Sequence, residues 1–132
     1  MKNIVIIAHD IKKAEMVQFL NDRREWIYGV NLIATGRTAE FVESQGIKVQ
    51  HLSPGKSGGY LEITDMIKRK EVDIVIFLRD PLIKQGHHED IQKLLESCNL
   101  HNIPLATNYA TAELVILGLI KKEDYERRKT ME

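Results

Sequence analysis

The chain has 132 residues and a mass of 15.2 kDa, enough for one domain that buries a core without metals or disulfides. Nineteen basic and nineteen acidic side chains cancel, and aromatic residues make up only 6% of the chain, so neither a nucleic-acid nor a membrane partner is indicated. The single cysteine, Cys98, cannot form an internal disulfide and points to a reducing cytoplasm, and no signal peptide or apolar stretch of membrane length is read.

Residues 3–8, "NIVIIA", form a continuous β-branched run, the pattern of a strand buried on both faces. Helical spacing follows over 11–24, with Ala14, Val17 and Leu20 at three-residue intervals. A second strand is predicted over 30–34 and a short helix over 38–45, with Phe41 and Val42 on one side. A third strand over 48–52 leads into the glycine-rich loop, followed by a helix over 61–70 built on Ile63, Met66 and Ile67. Residues 73–78, "DIVIFL", make the most apolar strand; then come a helix over 90–101, a short strand over 104–107 and a last helix over 110–119. Strict alternation predicts a three-layer α/β domain over residues 1–120, with a five-stranded parallel sheet between helical layers. The run 121–132, "KKEDYERRKTME", reads as a charged helix end or tail.

In open α/β sheets, ligands bind outside the carboxyl ends of the strands. The segments there are "AHDIKK", "ATGRTAE", "SPGKSGGYLEI", "RDPLIKQGHHED" and "ATNYATAE". The third contains Gly55-Lys56-Ser57 but is no nucleotide P-loop, because the required earlier glycine falls on Gln50. The second is the clearest anion signal. Gly36 permits close backbone approach, the helix start offers amides, Thr35 and Thr38 offer hydroxyls, and Lys13 adds a charge. Thr38 reads equally as a helix cap. A flavodoxin-type phosphate loop would follow the first strand, which argues against a flavin.

The remaining polar residues each have two readings. Asp10 is a helix cap or a site carboxylate, His9 a half-buried histidine bonded to backbone or a pocket residue, and Asp80 a turn starter before Pro81 or a site carboxylate. His87-His88-Glu89-Asp90 lacks the spaced partners that a metal centre needs, and Asp90 is also a natural helix cap. Cys98, between apolar neighbours, reads as a buried structural thiol.

Taken in order, "IAHD" with Lys13, "ATGRT", the Ser-Gly-Gly loop, "FLRDPL" with "HHED", and "IPLATNYATAE" resemble the methylglyoxal synthase family over about residues 3–119. The resemblance implies a five-stranded flavodoxin-like domain, usually hexameric, that converts dihydroxyacetone phosphate to methylglyoxal and phosphate without metal or organic cofactor. It implies a phosphate cradle of Lys13, Thr35, Gly36, Arg37, Thr38, Ser53, Gly55, Gly58 and Gly59. His87 would polarise the carbonyl, Asp10, Asp80 and Asp90 would orient histidines or relay protons, and His9 would line the pocket. Two departures stand out. The family loop Ser-Gly-Pro-x-Gly-Gly-Asp ends in its catalytic base; here it is one residue longer, counted from Ser53, and ends in Tyr60. The family's Thr-Gly-Thr-Thr-Gly reads Thr35-Gly36-Arg37-Thr38-Ala39, drifting toward the regulatory domain of carbamoyl phosphate synthetases. Two readings follow: a lyase with Glu62, Asp80 or Asp10 as base, or a non-catalytic binding domain for phosphate or a phosphorylated metabolite.

Overall fold

The computed structural model describes residues 1–83 and 88–131. Strand β1 (Lys2–Ala8) sends its side chains to two buried faces, Ile4, Ile6 and Ala8 to one and Val5 and Ile7 to the other. This explains why its sequence is apolar throughout rather than alternating. It pairs in parallel with β2 (Val30–Ala34) on one side and β4 (Ile74–Leu78) on the other, with Ile4 opposite Leu32 and Ile74. Strands β3 (Gln50–His51) and β5 (Leu105–Ala106) form the edges, giving the order β3-β2-β1-β4-β5.

Helices α1 (Lys13–Asn21), α3 (Gly36–Ser44) and α6 (Tyr109–Met131) cover one face, placing Met16, Phe19, Val42 and Ile116 against Ile4 and Ile6. A single turn of helix, α2 (Arg24–Ile27), adds Ile27 to that core. On the other face lie α4 (Gly59–Lys68) and α5 (His88–Leu100), with Ile63, Ile67, Ile91 and Leu94 packed on Val5, Val75 and Phe77. Each such fully buried side chain contributes about 1.5–3 kcal/mol over its exposed state. The five-stranded parallel three-layer fold expected from the sequence is therefore present.

Most elements shift by a residue or two from their expected bounds. The segment 11–24 opens with a 3-10 turn (Asp10–Lys12) and breaks after Asn21. Strand β3 is only two residues long, joined to β2 through Ile33–Gln50 and Ala34–His51. The charged run, read as a helix end or tail, takes the first form and continues α6 as far as Met131. Among the described residues, no helix is long and apolar enough to cross a membrane.

Cys98 is fully buried in α5, and that burial pushes its thiol up to about 11. Because the thiolate is the reactive form, native protein at pH 8 is expected to resist iodoacetamide and to become alkylated only when urea unfolds it. Rapid modification of folded protein, read by mass spectrometry, would contradict this packing.

Candidate active site

The chain lays down β1, β2 and β3 toward one edge, then crosses back to place β4 and β5 on the other side of β1. The order reverses between β1 and β4, and the segments leaving these two strands part to open a crevice. His9, directly after β1, sits at this point. Its N–H donates to Leu78 O at 3.1 Å, and its Nδ1 accepts the N–H of Asp80 at 2.7 Å. The ring is 5% exposed and meets Phe77 edge-on, with centroids 5.2 Å apart. An Nδ1 that accepts a hydrogen bond carries no proton, so the neutral ring has its proton on Nε2. The backbone bond foreseen for His9 and its place in the pocket are thus one arrangement.

Asp80 orients His9 through its amide. Its Oδ1 accepts the N–H of Leu82 at 3.0 Å and builds the turn before Pro81 and Leu82.

The crevice holds a cavity of about 120 Å³, lined by His9, Asp10, Lys13, Thr35, Arg37, Thr38 and Tyr60 among others. That is well below the ~300–1,000 Å³ of drug-sized sites, so the ligand it accommodates is small. The N-terminus of α3 opens into it. Thr35, the N-cap residue, makes no side-chain capping bond; Gly36 N–H donates to Ser53 O at 3.2 Å and Ala39 N–H to Thr35 O at 2.8 Å. Between them, the amides of Arg37 and Thr38 are first-turn donors with no partner inside the helix, at its positive end. The hydroxyl of Thr38 is engaged elsewhere, accepting Ala8 N–H at 3.1 Å and so tying α3 to β1. Thr38 therefore offers its amide to a ligand, and the cap position belongs to Thr35.

Lys13 reaches back across the start of α1, donating to Ala8 O at 2.9 Å and to Asp10 Oδ1 at 2.8 Å. Asp10 Oδ2 lies 3.6 Å from the Arg37 guanidinium. One carboxylate thus bridges two cations from two elements, leaving a net positive charge at the mouth of the cavity. Arg37 and Asp10 are more than half exposed, so their ion pair contributes little to stability. Its consequence is to hold both charges facing one ligand position.

The glycine loop forms the opposite wall. Tyr60, in the first turn of α4, stacks on Phe77 with centroids 5.8 Å apart and planes 15° apart. A β-carbon on Gly55 would lie 2.5 Å from Tyr60 Cζ, so only glycine lets the loop close over the ring. Gly58, at φ +102°, turns the chain into α4, a conformation that side chains resist. Burial pushes the Tyr60 phenol up from 10, partly offset by the charge of Arg79. Tyr60 is therefore protonated at neutral pH, a hydrogen-bond donor rather than a base.

The other expected residues take different places. Glu62 turns to the back of the loop, its Oε2 3.5 Å from the N–H of Ser53, and does not line the cavity. Ser53 and Gly59 shape the loop, Ser53 by holding the amide of Gly36 and Gly59 by donating to Pro54 O at 3.0 Å. Asp90 is in the first turn of α5, half-buried. His87 lies outside the described residues. Among the described residues, no group of three His, Cys, Asp or Glu side chains is assembled that could hold a metal.

Two contributors escaped the sequence reading. Arg79 sets its guanidinium 5.7 Å from the centroid of Phe77 and lowers the Tyr60 phenol. Its only signal is a charge directly after an apolar strand. Pro54 presses on the start of α3, 3.1 Å from where a β-carbon on Gly36 would be.

Fold and crevice define a doubly wound α/β domain that brings a helix N-terminus and two cations to one small cavity. Residues 15–107 match the family model described as the MGS-like domain, and the chain belongs to this methylglyoxal synthase family. It is 49% identical over 118 residues to the methylglyoxal synthase of Thermoanaerobacterium thermosaccharolyticum, covering 89% of this chain and 88% of that protein. It is 44% identical over 114 residues to that of Moorella thermoacetica, covering 86% and 89%. The crystal structure of methylglyoxal synthase from Elizabethkingia anophelis NUHP1 superposes with a TM-score of 0.81 at 35% identity, covering 86% of this chain and 76% of that one. The resemblance drawn from the strand ends is borne out, as is the fold it implied.

Proposed function

We propose that this protein is a methylglyoxal synthase, a lyase that converts dihydroxyacetone phosphate to methylglyoxal and inorganic phosphate without a cofactor. The observation that supports this reading best is the pairing of an anion cradle with a proton donor in one small cavity. The Arg37 and Thr38 amides, Lys13 and Arg37 would face the phosphate, while His9, which lines the same cavity, would supply its Nε2–H to the carbonyl end.

The chemistry follows from that arrangement. A base removes a proton from the hydroxyl-bearing carbon next to the carbonyl, and the C–H electrons form the enediol double bond. The carbonyl oxygen takes a proton from imidazole, a role for His9 Nε2 and, by family resemblance, for His87. Loss of the hydroxyl proton at the first carbon then drives cleavage of the C–O bond to phosphate. The products are phosphate and the enol of methylglyoxal, which ketonises. A cradle fixed by α3 and Lys13 keeps the breaking bond aligned with the enediol π system. Phosphate, released into the same cradle, is expected to act as a competitive inhibitor. A cytoplasmic homo-oligomer, a hexamer by resemblance, belongs to the same reading.

One observation favours a second reading. Tyr60, protonated and packed on Phe77, stands where the family carries its base, as it would in a binding module that has lost the lyase step. Incubation with dihydroxyacetone phosphate separates the two. The lyase reading predicts methylglyoxal and phosphate in equal amounts; phosphate binding without turnover would establish the binding module instead.

A further inference from the structure

We propose that Asp10 is the base that replaces the missing loop carboxylate, recruited when the substrate phosphate engages the two cations that flank it. This rests on the lyase reading above. The three candidate bases named from the sequence are separated by the structure. Glu62 faces away toward the Ser53 amide, and the Oδ1 of Asp80 is held in its own turn by the N–H of Leu82. Among the described residues, Asp10 is the one carboxylate lining the cavity, next in the chain to His9. It lines the same cavity as His9, the group proposed to polarise the carbonyl, as removal of the neighbouring proton requires.

Its surroundings also give it a trigger. Oδ1 accepts from Lys13 at 2.8 Å and Oδ2 lies 3.6 Å from Arg37. Both cations line the cavity into which the N-terminus of α3 opens. A phosphate dianion held by the Arg37 and Thr38 amides draws the same two cations toward itself, and the Asp10 oxygens turn from them to the substrate C–H. That bond breaks, the proton goes to Asp10 and its electron pair enters the enediol. Asp10 then returns the proton when the enol of the product ketonises, so the cycle closes without a further reactant.

The test uses full-length protein and the variants Asp10→Asn, Tyr60→Asp and their combination, with turnover and inorganic phosphate affinity measured on each. Asp10→Asn is expected to lower kcat by about 10²–10⁴-fold and to stop exchange of the substrate C–H with deuterated solvent. Phosphate affinity should not fall, since the carboxylate competes with the anion for Lys13 and Arg37 rather than binding it. Adding Tyr60→Asp, which restores the loop carboxylate, should recover at least about tenfold in kcat. An Asp10→Asn variant that keeps its kcat would overturn the proposal while leaving the lyase reading intact. So would a loss of kcat matched by an equal loss of phosphate affinity and not recovered by Tyr60→Asp. No turnover by the unmodified protein would overturn both.

Discussion

His9→Asn is expected to lower kcat by about 10²–10⁴-fold with little change in phosphate affinity or thermal midpoint. The asparagine Oδ1 can occupy the place of Nδ1 and accept the Asp80 N–H, which now lies 2.7 Å from the ring. What asparagine lacks is a donor at the distance of Nε2, so the variant removes the proton and keeps the scaffold. His9→Ala removes both. It leaves the buried Asp80 amide without its acceptor, at about 1–3 kcal/mol, and strips the edge-on contact with Phe77. Steady-state kinetics and thermal melts on the pair separate chemistry from folding. A His9→Asn enzyme with normal kcat would mean that His9 is only a strut between β1 and β4.

The second large effect is expected at Gly59, remote from any reacting atom. A β-carbon there would be driven into Ser53 O and within 3.0 Å of the Pro54 carbonyl carbon. These are backbone atoms that cannot rotate away. Gly59→Ala should destabilise the fold by about 1–3 kcal/mol, as overpacking does. It should also weaken phosphate binding, because Ser53 O holds the Gly36 amide and Gly55 closes over Tyr60. Gly118→Ala is the internal control. Gly118 is an exposed position inside α6 where an added β-carbon would meet nothing within 4 Å, and this change should add about 0.5–1 kcal/mol with no effect on activity. Urea denaturation measures both. Equal stabilities for the two variants would contradict the packing of the loop.

Much of this was legible in the chain because burial leaves a pattern. The apolar runs of β1 and β4 mark the sheet centre, and strand ends at Ala8, Ala34 and Leu78 mark where the crevice opens. The start of α3 beside the crevice was readable for the same reason, as a glycine and hydroxyls between a strand and a helix. Less visible were contacts in which a backbone group does the orienting. The Asp80 amide positions His9 across 71 residues, and nothing in either residue type announces it. For Asp80 the sequence left open a turn starter and a carboxylate that orients histidines; its Oδ1 builds the turn, and its amide orients His9. The fate of the Thr38 hydroxyl was hidden in the same way, since it depends on α3 meeting the end of β1. Whether the charged run ends α6 or leaves it as a tail stayed open for a different reason. Beyond Ile120 no described side chain joins a core cluster, so the charged residues show no apolar period.

Tyr60 departs from the loop pattern that the family resemblance implies, and its ring has a definite place in the structure. The ring is accommodated by Gly55 and Phe77 as a wall of the cavity, so its presence changes the chemistry available without disturbing the fold. On the proposed reading, substrate placement is then set by the opposite wall, where Arg37 is itself a departure from the family loop.

A crystal structure with bound 2-phosphoglycolate tests the proposed substrate placement, because its carboxylate resembles the enediolate and its phosphate the leaving group. The phosphate is predicted to lie against the amides of Arg37 and Thr38 and the ammonium of Lys13, with the carboxylate facing His9. A ligand seated outside this crevice, for instance in the groove between Tyr28 and Lys48 at the far side of β2, would contradict the account.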